Sequence, residues 1–282
     1  MSGTLFVVAT PIGNLEDITA RALRILGHVA LIAAEDTRRT RHLLTRYAIA
    51  TPTTSLHEHN EGRRVSTLIE RLTRGDDIAL VSDAGTPAIS DPGQHLIREA
   101  IDAGIRVEPI PGPSAVVSAF AASGIAGQSF TFLGFPPTRS KDRAAWLRDV
   151  ASAGRPVVFF EAPHRIRRTL AEILEIVGNR RVSVGRELTK IHEEFLRGSI
   201  REVLDRLAEP IGEFTIVLDI GQITDSDQDS VVPTAAEMAV EFGQMVDSLG
   251  GSRRLAVSKL ARTHGLSTNQ VYALVEAGKK LA

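Results

Sequence analysis

Four glycine- and proline-rich loops hold the residue patterns in this sequence best suited to grip a ligand. They are Thr10-Pro11-Ile12-Gly13-Asn14, Ser82-Asp83-Ala84-Gly85-Thr86-Pro87-Ala88-Ile89-Ser90, Pro111-Gly112-Pro113-Ser114-Ala115 and Glu161-Ala162-Pro163-His164. Glycine lets a backbone approach a ligand closely, proline stiffens the loop, and loop N–H groups bind polar ligand atoms. Loops in α/β folds are rich in these residues anyway. Four at equivalent positions, two of uncommon sequence, favour a ligand site. The sequence has neither G-x-G nor G-x-x-x-x-G-K-[ST], so the dinucleotide and nucleoside-triphosphate fingerprints are missing. Two charged segments, Glu35-Asp36-Thr37-Arg38 and Arg186 to Glu194 (RELTKIHEE), could transfer or hold protons. His57 and His59 in LHEHN lack the H-E-x-x-H spacing of a zinc pair. They are expected to face substrate or solvent, and no metal is expected.

These loops need strands to carry them. Apolar β-type runs alternate with helical patterns: strands at 5–9, 30–34, 78–81 and 107–110, helices at 18–26, 38–47, 63–72, 94–103 and 115–122. Such alternation predicts βα units and a mainly parallel sheet, with ligands at the carboxyl ends of the strands. A second series has strands at 130–133, 157–160, 182–184, 193–196 and 214–220 and helices at 142–151, 166–177 and 200–207. Its late strands are closely spaced, which predicts a mixed sheet. The expected fold class is α/β, with domains at 1–117 and 118–222, an acidic linker at 223–233 and a helical module at 234–282.

Composition narrows the classes. The 282 residues are 43% hydrophobic and 24% charged, as in a globular chain. With no cysteine, disulfides, thiolate catalysis, zinc fingers and iron–sulfur clusters are excluded. Residues 1–30 lack a basic n-region followed by an apolar stretch, which argues against a secretory signal. Thirty residues between Glu108 and Arg139 carry no charge, but five prolines and four glycines break the run too often for a spanning helix. It is expected to be a buried hinge or a subunit contact, and the protein a soluble, cytoplasmic homodimer without membrane association.

Charge is uneven along the chain. Residues 224–250 carry −6 and residues 251–282 carry +5, within a net charge of −1. The basic end, LAVSKLARTHGLSTNQVYALVEAGKK, fits a helix-turn-helix with Ala256, Leu260, Leu266, Val271 and Leu274 as core and Ser267 or Thr268 as cap. Arg253, Arg254, Lys259, Arg262, Lys279 and Lys280 would supply phosphate contacts. The alternative is a small packing or dimerisation appendage.

TPIGNLEDIT, AEDTRRT, VSDAGTPAISDPG, PIPGPSA, FFEAPHR, RELTKIHEEF and GEFTIVLDIG occur in this order over residues 4–221. They resemble the tetrapyrrole methylase superfamily, and more closely its branch of 16S rRNA (cytidine-2′-O)-methyltransferases. The resemblance implies two α/β domains with S-adenosylmethionine (SAM) held in the cleft between them, a homodimer, and 16S rRNA or the 30S subunit as substrate, at a cytidine of the decoding region. It carries the cofactor site to Pro11, Ile12, Gly13, Asp83, Ala84, Gly85, Thr86, Pro87, Ile89, Ser114, Ala115, Phe160, Glu161, Ala162, Glu213, Phe214 and Thr215. Thr86 stands where the superfamily has an acid, so Asp83 is expected to supply that carboxylate.

A ribose 2′-OH is a poor nucleophile and needs a base, or a cation that favours the alkoxide. Lys190 and Glu187 are the first candidates, with Asp36 and Arg38 as positioning groups. Two readings compete: a porphyrin or corrin C-methyltransferase with the same cofactor cleft, and a ligand-sensing helix-turn-helix regulator. A macrocycle needs neither the basic appendage nor the RRTR segment, and a sensor needs no charged cluster to activate a nucleophile.

Overall fold

The apolar strands Leu31–Ala34 and Ile78–Val81 are buried on both faces, and the helices between the strands cover those faces. A computed structural model of the protein describes residues 2–57, 61–207, 211–221, 234–264, 266 and 268–279. The expected linker, His59, Ser267 and Lys280 lie outside the described residues, as do the side chains of Arg262 and Lys279. The chain divides into two units, Met1–Ala122 with Gly185–Glu194, and Ser123–Val184 with Phe195–Ala282.

The first unit runs β1 (Thr4–Val8), a 3-10 turn (Leu15–Asp17), α1 (Ala20–His28), β2 (Leu31–Ala34), α2 (Thr37–Arg46), β3 (Thr53–Ser55), α3 (Glu61–Thr73), β4 (Ile78–Val81), α4 (Gln94–Asp102), β5 (Arg106–Ile110) and α5 (Ala115–Ala122). Its strands form a parallel sheet in the order β3-β2-β4-β1-β5. Leu26, Ile32 and Leu43 belong to one core cluster, and Leu5, Leu68 and Leu96 to another. Every residue of β2 and β4 is buried. Local chemistry starts the helices: Thr19 caps α1 by accepting from the Ala22 N–H, and Asp36 caps α2 by accepting from the Arg38 N–H. Strand β3 was not anticipated, because its three residues, Thr-Thr-Ser, carry no apolar signal. Because β4, β1 and β5 are neighbours, the loops that follow them emerge side by side.

The second unit contains β6 (Thr131–Phe132), α6 (Ser140–Ser152), β7 (Val157–Glu161), α7 (Ile166–Val177), β8 (Arg181–Arg186), β9 (Glu194–Ser199), α8 (Ile200–Arg206) and β10 (Phe214–Leu218). The sheet order is β6-β7-β10-β8-β9, with β6 parallel and β10 antiparallel to β7, so the sheet is mixed as expected. The tip joining β8 to β9 belongs to the first unit. The core gathers Trp146, Phe159, Leu170, Ile200 and Ile216.

The uncharged segment is not a buried hinge in this chain, which removes one of its two expected roles and leaves the subunit contact. It contains the end of β5, all of α5 and β6, and most of its residues are exposed or half-exposed. Several are small or polar residues in loops, which have little apolar surface to hide.

The remaining helices are α9 (Ala235–Ser248), α10 (Arg253–His264) and α11 (Thr268–Lys279). They share a core of Met238, Phe242, Ala256, Leu260, Ala261, Val271 and Val275, with Leu266 and Leu274 partly buried against it. The expected pair of short helices is therefore completed by α9, whose N-terminus carries a Thr234–Glu237 capping box. A Cβ at Gly278 would lie 1.9 Å from the Ala235 carbonyl oxygen, so only glycine lets α11 approach α9 this closely.

Candidate cofactor and catalytic sites

The loops after β1, β4 and β5 meet at Gly85. The Thr10 N–H donates to the Gly85 carbonyl at 2.9 Å, and the Gly85 N–H returns a bond to the Thr10 carbonyl at 3.0 Å. Gly85 has φ +79°, and a Cβ there would stand 3.3 Å from Ile12 Cγ2 and 3.8 Å from the Pro113 carbonyl oxygen. Three of the four sequence loops thus surround one α-carbon that has no room for a bulky side chain. Around it Pro11 and Pro87 are buried, Ile12, Thr86, Ser114 and Ala115 are half-buried, and Ala84 and Ile89 are exposed.

Asp83 is already engaged. Its Oδ1 accepts from the Asp36 N–H at 3.0 Å and its Oδ2 pairs with Arg39 at 3.3 Å. Its own N–H donates to Glu35 Oε2 at 3.2 Å. The carboxylate expected to face a ligand therefore ties the β4 loop to the β2 loop. Asp36 is bound by the Arg38 side chain at 2.8 Å, and that bond holds its carboxyl down at about 2. An acid that strong suits positioning and not proton removal. Burial pushes Glu35 up, and it pushes Asp91 up to about 6, with the nearby Glu35 charge adding to the effect. Asp91 lies in the VSDAGTPAISDPG segment, where residue type alone does not set it apart. Its burial, the signal that distinguishes it, is tertiary.

Lys190 and Glu187 lie on the β8–β9 tip, paired at 2.9 Å. The tip docks on the first loop. The Asn14 N–H donates to Thr189 Oγ1 at 3.0 Å, and a Cβ at Gly13 would fall 2.7 Å from the Leu188 carbonyl oxygen and 2.5 Å from Lys190 Cγ. Gly13 is thus required by the tip, a reason that the loop's composition did not suggest. Glu187 and Thr189 take positive φ, at 51° and 65°, a backbone conformation that costs L-residues energy. Ile191 at the apex is 94% exposed.

In the second unit Phe160 is half-buried, with Phe132 at 5.1 Å and Phe135 at 5.3 Å between ring centroids. The Glu161 side chain is 0% exposed. It accepts from the Ala162 N–H at 2.8 Å, from Arg165 Nε at 3.2 Å and from Thr169 Oγ1. Phe214 and Thr215 are buried in β10, opposite Glu161 and Phe160. Glu161, Phe214 and Thr215 therefore present little surface of their own to a ligand. Ala162 is half-buried and Glu213 exposed. Among the described residues no three His, Cys, Asp or Glu side chains are grouped to hold a metal ion, and no helix is long and apolar enough to cross a membrane.

Solved structures share this architecture. A diphthine synthase superposes with a TM-score of 0.62 at 14% identity, covering 77% of this chain and 90% of that one. A cobalt precorrin-4 methyltransferase gives 0.58 at 16%, covering 77% and 94%. At these identities the likeness speaks for the fold. In sequence, the family described as Tetrapyrrole (Corrin/Porphyrin) Methylases matches residues 4–204, which defines the class as a methyltransferase.

Relatives that match most of the chain carry the name ribosomal RNA small subunit methyltransferase I. That of Halalkalibacterium halodurans is 44% identical over 96% of this chain and 93% of its own length. That of Bacillus subtilis is 41% identical over 96% and 93%. That of Thermotoga maritima is 49% identical over 77% of this chain and 98% of its own length. The chain belongs to the tetrapyrrole methylase family, in the group of ribosomal RNA small subunit methyltransferases I. The methyl donor of this family is SAM.

Proposed function

We propose that this protein methylates the 2′-hydroxyl of a cytidine in 16S rRNA, in the decoding region of the small ribosomal subunit. Identity of 41–49% to relatives named for small-subunit rRNA carries the reading. It is favoured over a corrin or porphyrin substrate because those relatives match most of the chain, whereas the tetrapyrrole-related structures match in fold.

The loop junction fits the methyl donor. Pro113 offers a carbonyl, Ile12 and Ile89 offer apolar surface, and glycine at 85 leaves the space between them open. Ser114 and Ala115 begin α5, where backbone N–H groups favour a carboxylate. Thr86 and the loop backbone would stand in for the carboxylate that Asp83 uses elsewhere. In the second unit Phe160 would offer an apolar face, Ala162 and Glu213 surface contacts, and Glu161, Phe214 and Thr215 backbone groups. When bound, SAM supplies a methyl group already activated by its sulfonium. The work left to this chain is alignment, exclusion of water and handling of one proton. Lys190, held by Glu187 and set by the docked tip, would favour the alkoxide of the ribose hydroxyl, with Glu187 taking its proton. Asp36 and Arg38 would hold the substrate backbone.

The domain assignment follows the same reading: α/β domains at 1–117 and 118–222, an acidic linker at 223–233 and an RNA-holding module at 234–282 that does no chemistry. Arg253, Arg254 and Lys259 are exposed on α10, as phosphate contacts require. RNA helices hide their base edges in a deep groove, so backbone contacts are expected of the module. A homodimer is proposed, checked by light scattering; a mass near 30.4 kDa at micromolar concentration would refute it.

The deciding experiment offers labelled SAM with 30S subunits and, separately, with a tetrapyrrole precursor. Mass spectrometry of rRNA from a deletion strain then maps the nucleotide. Label on the macrocycle alone would overturn the reading, and a base-methylated product would overturn the 2′-O assignment. Truncation after Gly221 is expected to leave SAM affinity intact, weaken RNA binding and flatten its salt dependence.

A further inference from the structure

Phe135 is an exposed aromatic ring on an unusually well-fixed loop. It is 54% exposed, and among the described residues only Tyr272, at 62%, is another exposed aromatic. It follows the carboxyl end of β6, on the segment Leu133-Gly134-Phe135-Pro136-Pro137. Gly134 turns this segment with φ +59°, a conformation glycine adopts freely. Four carbonyls of the segment are each claimed by a donor. Trp146 Nε1 donates to Leu133 O at 3.1 Å and the Phe160 N–H to Gly134 O at 2.9 Å. Arg165 donates to Pro136 O, and Arg143 donates to Pro137 O at 3.4 Å.

Both arginines are themselves fixed from within. Arg165 pairs with the buried Glu161. Arg143, buried, donates to Glu172 at 2.6 Å and to Thr169 at 2.7 Å, and Thr169 donates in turn to Glu161. A network of charged groups taken out of water costs much to assemble, and here it locks a loop whose one large exposed side chain is apolar. Proline on the far side of Phe135 stiffens it further. Phe160 backs the ring at 5.3 Å and is itself edge-on to Phe132.

We infer that Phe135 is a stacking platform for an unpaired base of the RNA substrate. This deepens the reading of the chain as an RNA methyltransferase and rests on it. Sequence-specific proteins that act on RNA engage splayed single-stranded bases by stacking them on aromatic faces, and a face held in place loses little entropy on binding. The ring stands at the carboxyl end of two parallel strands, where open α/β sheets take their ligands. Charge also matches. Exposed Arg139 and Lys141 follow at the start of α6, with Asp142 the single acid in that turn, so a nucleotide on the ring would have cations beside its phosphates. A buried Phe would be core. A mobile exposed Phe would be incidental. A rigid exposed Phe backed by two more rings is suited to bind a flat partner.

The test uses full-length enzyme with 30S subunits and labelled SAM. Wild-type protein that fails to methylate subunits would sink the function proposed above and not this inference as such. Given activity, Phe135→Ala is expected to raise KM for subunits about 5- to 150-fold, the range for losing one base–aromatic stack, with SAM affinity by calorimetry unchanged. Phe135→Trp should keep the wild-type KM. The added indole should be quenched by a short single-stranded oligoribonucleotide, while Trp146, buried in the core, supplies a constant background. Full rescue by Phe135→Leu would overturn stacking in favour of plain apolar contact, and it keeps the idea testable should the alanine variant unfold. An unchanged KM in Phe135→Ala would overturn it outright. Weakened SAM binding with unchanged KM for subunits would assign the ring to the cofactor's adenine and overturn it equally.

Discussion

The loops of the first unit and those of the second are held by different means. In the first unit the backbone does most of the holding, beside the Asp83 and Glu35 side chains that tie the β4 and β2 loops. Thr10 and Gly85 exchange main-chain hydrogen bonds, Gly13 admits the β8–β9 tip, and every described non-glycine residue with positive φ lies there: Ala48, Ala88, Ser90, Glu187 and Thr189. In the second unit side chains do it, through Glu161, Thr169, Arg143, Arg165 and Glu172, with no described non-glycine residue at positive φ. Backbone strain keeps a loop close to an alternative conformation and suits residues that must respond to a ligand. A satisfied buried ionic network resists change, because losing one partner strands the others without water. The residues proposed to handle the proton fall in the first kind of region, and the proposed stacking ring in the second.

The largest effect should come from the strained tip. Lys190→Ala is expected to lower kcat about 10²–10⁴-fold, the usual worth of a positioned proton-transfer or charge-stabilising group, with SAM affinity preserved. If kcat falls less than tenfold in single-turnover assays, the tip is structural and the contrast between the regions loses its functional half.

Next in size is the buried network. Glu161→Ala should cost about 3–5 kcal/mol of stability in urea unfolding, because it strips buried Thr169 and Arg165 of their acceptor. In the first unit Asp83→Asn breaks a more exposed pair with Arg39, and about 1 kcal/mol or less is expected. Similar costs for the two would erase the distinction between them.

Asp91 sharpens the comparison through pH. Its carboxyl is raised from 3.8 to about 6 by burial. An acid whose folded pKa is raised contributes stability in its protonated form, fully present below the unfolded value and lost as pH rises through the folded one. Asp91→Asn cannot ionise and escapes that loss. The gap in Tm between variant and wild type should therefore move in the variant's favour between pH 4 and pH 7 and stay level above. A gap independent of pH would show that Asp91 is solvated.

The smallest effect concerns strain alone. Ala88→Gly should stabilise by about 1 kcal/mol or less, since glycine takes φ +67° without the Cβ penalty but gains freedom when unfolded. Destabilisation beyond that would mean the alanine methyl packs against something that matters.

Much of the fold was legible because it is local. Helices Ala115–Ala122 and Ile166–Val177 and strand Ile78–Val81 fall where periodicity puts them, and alternation of strands and helices sufficed to expect a parallel first sheet and a mixed second one. The loops at strand ends were legible for the same reason: glycine and proline leave a composition that can be read without knowing what lies opposite.

What lies opposite is set by the tertiary structure. Asp83, expected to offer a carboxylate to a ligand, also binds Asp36 and Arg39, over 40 positions away in sequence. Gly13, expected in the cofactor loop, also makes room for a hairpin 175 positions away. Glu161, Phe214 and Thr215 carried no mark of which side chains would be buried, and Phe135, in an uncharged run expected to be a buried hinge or a subunit contact, is exposed in this chain. Residue type and spacing determined which elements form and which groups are available to do chemistry. Which acid is ionised, which glycine is obligatory and which ring faces solvent depended on strand order, because hydrogen bonds and desolvation act over a few ångströms between groups that only the assembled sheet makes neighbours.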